Sequence, residues 1–419
     1  MLGRLARIKP FALTETMVPA AAVAPRAMTA IERYLAAGRR ELRARIHEYL
    51  RWLSRPEART ANPAVLQRRF TFLRLRFNVV LTQFDIFADV LAQRSEHDNG
   101  VVLAGLDLVA ADALALPGYY TPPPVVCYLD RGHGAAIRRQ RTRLPGGGEN
   151  PVAVIRVPRE RMVGSGMASS LVHEVGHQAA ALLDLVDSLR PVLRARGASA
   201  GRAAPVWRLW ERWISEIVAD FWSVARVGVT STLGLMGVVS LPRVFVFRLN
   251  PEDPHPIPWV RVRLSCAMGR AMYPHPQWDE VAQIWESFYP RTGLDAAFRD
   301  LLHRLEGSMS EFVDMLLTHR PAALRGRTVA EVMELAERQP HRLLAIHHAW
   351  RAAPSRIRSA APSLVFAVIG QARAAGELGP EEESRTLARM LQYWALSTTT
   401  QRSAVTDRPA PRALAAAIA

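Results

Sequence analysis

Cysteine is almost absent. Cys127 and Cys266 are the only two in 419 residues, too few for a disulfide scaffold or for an all-cysteine zinc site built by one chain. Lysine is rarer still: of 54 basic residues only Lys9 is lysine, which points to a GC-rich genome as much as to a function. No uninterrupted apolar run reaches the ~20 residues that a membrane span needs. The nearest, 228–247, is broken by Gly234, Gly237, Pro242 and Arg243. It reads as a buried loop followed by a strand over 244–247. The start of the chain is basic, but Thr14, Glu15, Thr16 and Pro19 interrupt the apolar stretch after it. It reads as a disordered Ala/Pro leader rather than a signal peptide.

Acidic residues are also short. The formal charge is +16, and the excess is concentrated at one end. Residues 1–80 hold 16 basic and 5 acidic residues, whereas 81–300 hold 23 and 22. A basic segment can meet nucleic acid, anionic lipid or an acidic protein. A solvated helical face in an arginine-rich proteome is the weightier reading, so neither nucleic acid nor an anionic surface is an expected partner. Apolar residues at 49% and charged residues at 22% are ordinary for a soluble globular protein and exclude wholesale disorder, a collagen-like chain or a coiled-coil rod. The length corresponds to about two or three domains.

Apolar periodicity predicts helices over 29–55, 64–94 and 101–116, ended by Pro117-Gly118 and Pro122-Pro123-Pro124. Strands are expected at 125–129 and 152–157, separated by an Arg- and Gly-rich loop over 131–150. Helices are expected next at 164–189 and 206–227, with a linker at 197–205 between them. A proline-rich turn over 251–258 precedes a helical remainder. The expected organisation is a leader (1–28), a basic helical region (29–118), a core (119–300), a C-terminal helical region (301–400) and a frayed tail (401–419). Trp207, Trp210 and Trp213 stand at helical spacing and read as core.

One pentapeptide carries chemistry. His173-Glu174-Val175-Gly176-His177 is H-E-x-x-H, within a segment read as helix. Positions i and i+4 share a helix face, so both imidazoles can reach one metal ion. Glu174 beside them can take a proton from a metal-bound water. Composition alone predicts about 0.02 occurrences of this pattern, which argues against accident. A third ligand is needed. The metzincin extension would require glycine at 180 and histidine at 183, where Ala180 and Leu183 stand. The next helix offers Glu216 and Asp220 at i and i+4 among apolar and aromatic residues. Acidic groups in such a setting need partners. A metal suits Glu216, and the outer ring nitrogen of a ligating histidine suits Asp220.

H-E-x-x-H followed on a later helix by E-x-x-A-D, here Glu216 to Asp220, resembles the gluzincin metallopeptidases, in a form similar to the HtpX/CAAX-protease group. The resemblance covers roughly residues 125–275. Membrane members of that group have clear spanning helices, which this sequence lacks. The resemblance implies an α+β, mostly helical fold: a zincin-like core whose small mixed sheet packs on the H-E-x-x-H helix, flanked by helical segments. It implies one Zn2+ per chain held by His173, His177 and Glu216, with Glu174 as general base and Asp220 orienting His173. The segment His255-Pro256 followed by Arg261 is similar to an H-P segment and Arg-bearing helix in that group. It ranks His255 first and Arg261 second as donors to a substrate oxygen, ahead of Tyr273 and His275. The strand at 152–157 would be an edge strand, with Val154 and Arg156 binding an extended peptide by strand addition.

The expected activity is hydrolysis of peptide bonds in a peptide or protein substrate, in a bacterial cytoplasm, with secretion or peripheral membrane association as alternatives. The rival reading is a metal-stabilised, non-catalytic scaffold that docks through its basic N-terminal helices on nucleic acid, a membrane surface or a protein assembly.

Overall fold

The computed structural model describes residues 1–11, 16–131, 135–144, 148–159, 163–250 and 252–406. The fold is mostly helical with one small mixed sheet. Many helices begin on proline, whose fixed φ suits a first turn and whose missing N–H is not needed there. α1 (Pro25–Leu53) and α2 (Pro63–Ala92) both start this way, and the Asn62 side chain caps α2 by accepting from the Ala64 N–H at 2.8 Å. The two helices form a hairpin. α3 (His97–Leu114) is next. Then come β1 (Val125–Asp130), β2 (Ala136–Arg138) and β3 (Ala153–Pro158).

The sheet order is β1-β3-β2, with β3 parallel to β1 and antiparallel to β2. Side chains on a strand alternate between faces, and both faces are covered. Val125, Cys127, Leu129, Ala153, Ile155 and Val157 join the main core. Val126, Val152 and Val154 join a second core under the α1–α2 hairpin. The sheet is therefore a partition between the basic hairpin and the helical body.

The body is built from α4 (Gly166–Leu182), α5 (Leu185–Ser199), α6 (Ala204–Val227), α7 (Val229–Val239), α8 (Pro258–Met272), α9 (Gln277–Phe288) and α10 (Ala296–Thr318). α11 (Pro340–Ala352), α12 (Pro362–Ala374) and α13 (Pro380–Thr406) complete it. α4 and α6 make the most extensive helix pair, and α4 also touches β2 and β3. One apolar core runs from Leu103 on α3 to Trp394 on α13, so it crosses the boundaries expected at 118 and 300. The Glu383 side chain accepts from the Ser165 N–H at 2.8 Å, fastening the start of α13 to the start of α4. Trp207, Trp210, Trp213 and Trp222 are all fully buried.

Several local expectations are corrected. The helix expected over 164–189 is two, broken where Asp184 takes a left-handed conformation (φ 53°), which aspartate tolerates better than most residues. α5 can then fold back along α6. The stretch 228–247 is not a loop and strand: it is α7 plus a helical turn at Arg243–Val246. Its valines and phenylalanines have strand propensity but no strand beside them, and tertiary packing decides. β2 falls inside the expected loop. The expected linker is nearly all helical, since α5 runs to Ser199 and a 3-10 turn covers Gly201–Ala203. The expected leader is folded where described: Leu2–Arg7 is helical, and Leu5, Phe11, Ala21, Val23 and Ala27 are buried. Most of these side chains fill the seam beside the hairpin. Of the tail expected from 401, residues 407–419 lie outside the described residues. Among the described residues, no helix is long and apolar enough to cross a membrane.

Candidate metal centre

The centre lies between α4 and α6. His173 and His177 are one turn apart on α4, with ring centroids 4.9 Å apart. Glu216 faces them from α6. Its carboxylate lies 3.3 Å (Oε2) from His173 Nε2 and 3.5 Å (Oε1) from His177 Nε2. One ligand atom from each of the three residues lies within 4.8 Å of the others. Ligand atoms held 2.0–2.1 Å from a tetrahedral zinc ion would be roughly 3.3–3.4 Å apart, so the two imidazole-to-carboxylate spacings fit such an ion. Glu216 Oε2 is buried and no contact to it has good hydrogen-bond geometry, although His173 Nε2 at 3.3 Å and His255 Nε2 at 3.2 Å stand beside it. A cation there would give it a well-placed partner. Two imidazoles and a carboxylate suit zinc.

Close helix contact makes this geometry. An added Cβ on Gly176 would lie 2.8 Å from both the Cα and the carbonyl oxygen of Ala219, and 3.1 Å from Trp222 Cβ. The glycine between the histidines therefore lets α6 approach near enough for Glu216 to reach them. Gly176→Ala is expected to lose about 1–3 kcal/mol of stability by overpacking and to bind zinc more weakly, because Glu216 moves with α6. Denaturant unfolding and metal titration of the variant check this.

Behind the three candidate ligands is a buried chain of charged groups. His173 Nδ1 lies 2.8 Å from Asp220 Oδ1. Asp220 also receives two hydrogen bonds from Arg261 on α8, from Nε at 2.6 Å and Nη2 at 2.9 Å. Burial would raise the Asp220 carboxyl, but Arg261 and His173 hold it well below the usual range. Burial would likewise raise Glu216, and the imidazoles of His173, His177 and His255 outweigh it. Burial disfavours a charged His173, yet Asp220 and Glu216 overcome this and raise its pKa to about 9.

Metal uptake must then displace the His173 proton. Zinc affinity is expected to climb about tenfold per pH unit up to about 9. In metal-free protein the sign is opposite. The folded pKa lies above the ordinary 6.5, so this histidine's stabilising contribution is complete below 6.5 and is lost as pH rises through about 9. Zinc titrations and melting curves of chelator-treated protein over that window measure both.

Each expected site residue can now be placed. His173, His177, Glu216 and Asp220 are together. Glu174 is buried, next to His173 on α4. His255 reaches the centre from the loop before α8: its Nε2 is 3.2 Å from Glu216 Oε2, and its Nδ1 is 2.6 Å from Asp253 Oδ1. Its side chain is 47% exposed while Glu216 is at 11%, so it stands at the solvent side. Contact with Glu216 favours its protonated form despite partial burial.

The guanidinium of Arg261 points to Asp220, although the residue also lines the cavity beside His255. It is buried and committed to Asp220, a role that its position on a helix after an H-P segment did not reveal. Val154 and Arg156 are not on an edge. β3 pairs with β1 on one side and β2 on the other, so its main-chain groups are used. Tyr273 is buried, donating to the Ala225 carbonyl at 2.6 Å. Sequence reading missed Asp253, although the local Asp-x-His spacing was a usable signal. It also missed a cavity of ≈ 250 Å³ beside His255 and Arg261, lined by Phe245, Leu249 and Ile257 among others. Those residues converge only in the fold. Comparison with protein families, with curated proteins and with solved structures finds no match to this chain.

Proposed function

We propose that the chain is a zinc-dependent peptide hydrolase with a zincin-like core of the gluzincin kind. The observation that carries the reading is the convergence of two imidazole nitrogens and one buried carboxylate oxygen from two helices, all within 4.8 Å of one another. A zinc ion held there by His173, His177 and Glu216 supplies Lewis acidity toward a carbonyl and a lowered pKa for water.

The chain's own residues do the rest. Glu174 accepts the proton of the attacking water and delivers it to the departing amine nitrogen. Asp220, anchored by Arg261, fixes the tautomer and orientation of His173. His255, held at Nδ1 by Asp253, offers its Nε2–H to the carbonyl oxygen as negative charge develops. β2 ends the sheet and touches α4, so its outer edge, rather than β3, is where an extended peptide adds by main-chain hydrogen bonds. The cavity beside His255 gives an apolar side chain room.

The test is digestion of β-casein by the zinc-loaded protein. Cleavage should stop with a chelator and return with added zinc. Cleavage indifferent to chelation, or no cleavage by zinc-loaded protein, overturns the reading.

A further inference from the structure

The α1–α2 hairpin is an arm. Between Ile46 and Leu73, through the connecting turn, Ala58 is the only buried residue, so this half of the hairpin has no body beneath it. Its surface is unusual in two respects. Between residues 46 and 73 there are five arginines against two glutamates and no aspartate. The arm also carries exposed large apolar side chains. Of the sixteen on the described surface, six lie between residues 50 and 75: Leu50, Leu53, Val65, Phe70, Phe72 and Leu75. Phe72 is 66% exposed and Leu75 55%.

The apolar positions on α2 form two stripes. Leu73, Phe77, Val80 and Phe84 face inward and are buried. Val65, Phe72 and Leu75 recur at helical spacing on a different face, with Arg68 in the same stripe and Arg69 and Arg76 beside it. Solvation alone accounts for the arginines but not for a second apolar stripe.

We propose that this arm docks on an anionic lipid surface. A phosphate backbone would satisfy the arginines and leave Val65, Phe72 and Leu75 in water. A second copy of the chain would set two arms of the same high charge against each other. An anionic bilayer satisfies both features: the apolar stripe enters the acyl boundary while the arginines meet headgroup phosphates. Attachment is peripheral, since no described helix can cross. This inference does not depend on the hydrolase reading.

The experiment is co-sedimentation of the full chain with vesicles of phosphatidylcholine alone or of equal parts phosphatidylcholine and phosphatidylglycerol. Binding is expected to the second kind only and to weaken with salt. Phe72→Asp combined with Leu75→Asp should lower it about a hundredfold, the loss expected for two exposed side chains that bury on binding. Both residues are exposed, so the variant should keep its melting temperature. A control, Val244→Asp with Phe288→Asp, changes exposed apolar residues on the body and should bind as wild type. The proposal is overturned by absence of binding to phosphatidylglycerol vesicles, by equal binding of the arm variant, or by loss in the control instead. Arm-dependent binding to duplex DNA without vesicle binding overturns it too.

Discussion

Purified in the presence of zinc, the wild-type protein is expected to retain about one ion per chain, and Glu216→Ala essentially none. This is the larger of the two strongest expected effects. Glu216 is the only proposed ligand on α6, and its removal leaves two histidines on one helix turn. Affinity should fall by more than the roughly 10–100-fold that loss of an outer partner costs. Asp220→Asn supplies that comparison, because Asp220 touches His173 from behind and is not a ligand. The ordering, Glu216 variant far below Asp220 variant below wild type, separates ligation from general damage to the α4–α6 contact. Elemental analysis and competitive chelator titration read it out. Zinc held by Glu216→Ala as tightly as by wild type would place the third ligand elsewhere.

The second strong effect is on turnover. Glu174→Gln should lower β-casein cleavage by about 10²–10⁴-fold, the range for loss of a positioned general base, with zinc content and melting temperature unchanged. Glutamine keeps the size and hydrogen-bonding reach of glutamate but cannot take a proton from water at neutral pH. Glu174 is buried and adjacent to His173, a proposed ligand, so a larger change would disturb metal binding as well. The isosteric variant isolates the proton transfer. Cleavage at the wild-type rate by a zinc-loaded Glu174→Gln protein would refute Glu174 as the base.

The arm and the candidate metal centre are connected through the sheet. β1 and β3 carry the second core on one face and the main core on the other, and α4 rests against β2 and β3. A surface that held the arm would therefore hold the centre at a set distance from that surface. A hydrolase so placed would act on substrates at or near the bilayer, and its activity on β-casein in solution would be independent of Phe72 and Leu75.

What the sequence determined is what a single helix determines. The i, i+4 spacing of His173 and His177, and of Glu216 and Asp220, survives any tertiary arrangement because the helix period alone sets it. The fully buried tryptophans on α6 and the strands β1 and β3 were legible for the same reason: each is marked by its own local pattern. What only the tertiary structure decided was every relation between segments distant in the chain. Gly176 and Ala219 lie on different helices with α5 between them in the chain, and that separation hides the backbone contact that sets the reach of Glu216. Arg261 could not be assigned to Asp220 rather than to a substrate until α8 was laid beside α6. β3 could not be seen as a central strand, because a three-residue strand inside an arginine-rich loop has no period to read. The strand-like run at 244–247 became a helical turn for want of a neighbour. The meaning of the basic first segment also changed in the fold, since charge is visible in composition but the exposure of Phe72 and Leu75 depends on which faces of a hairpin find a partner.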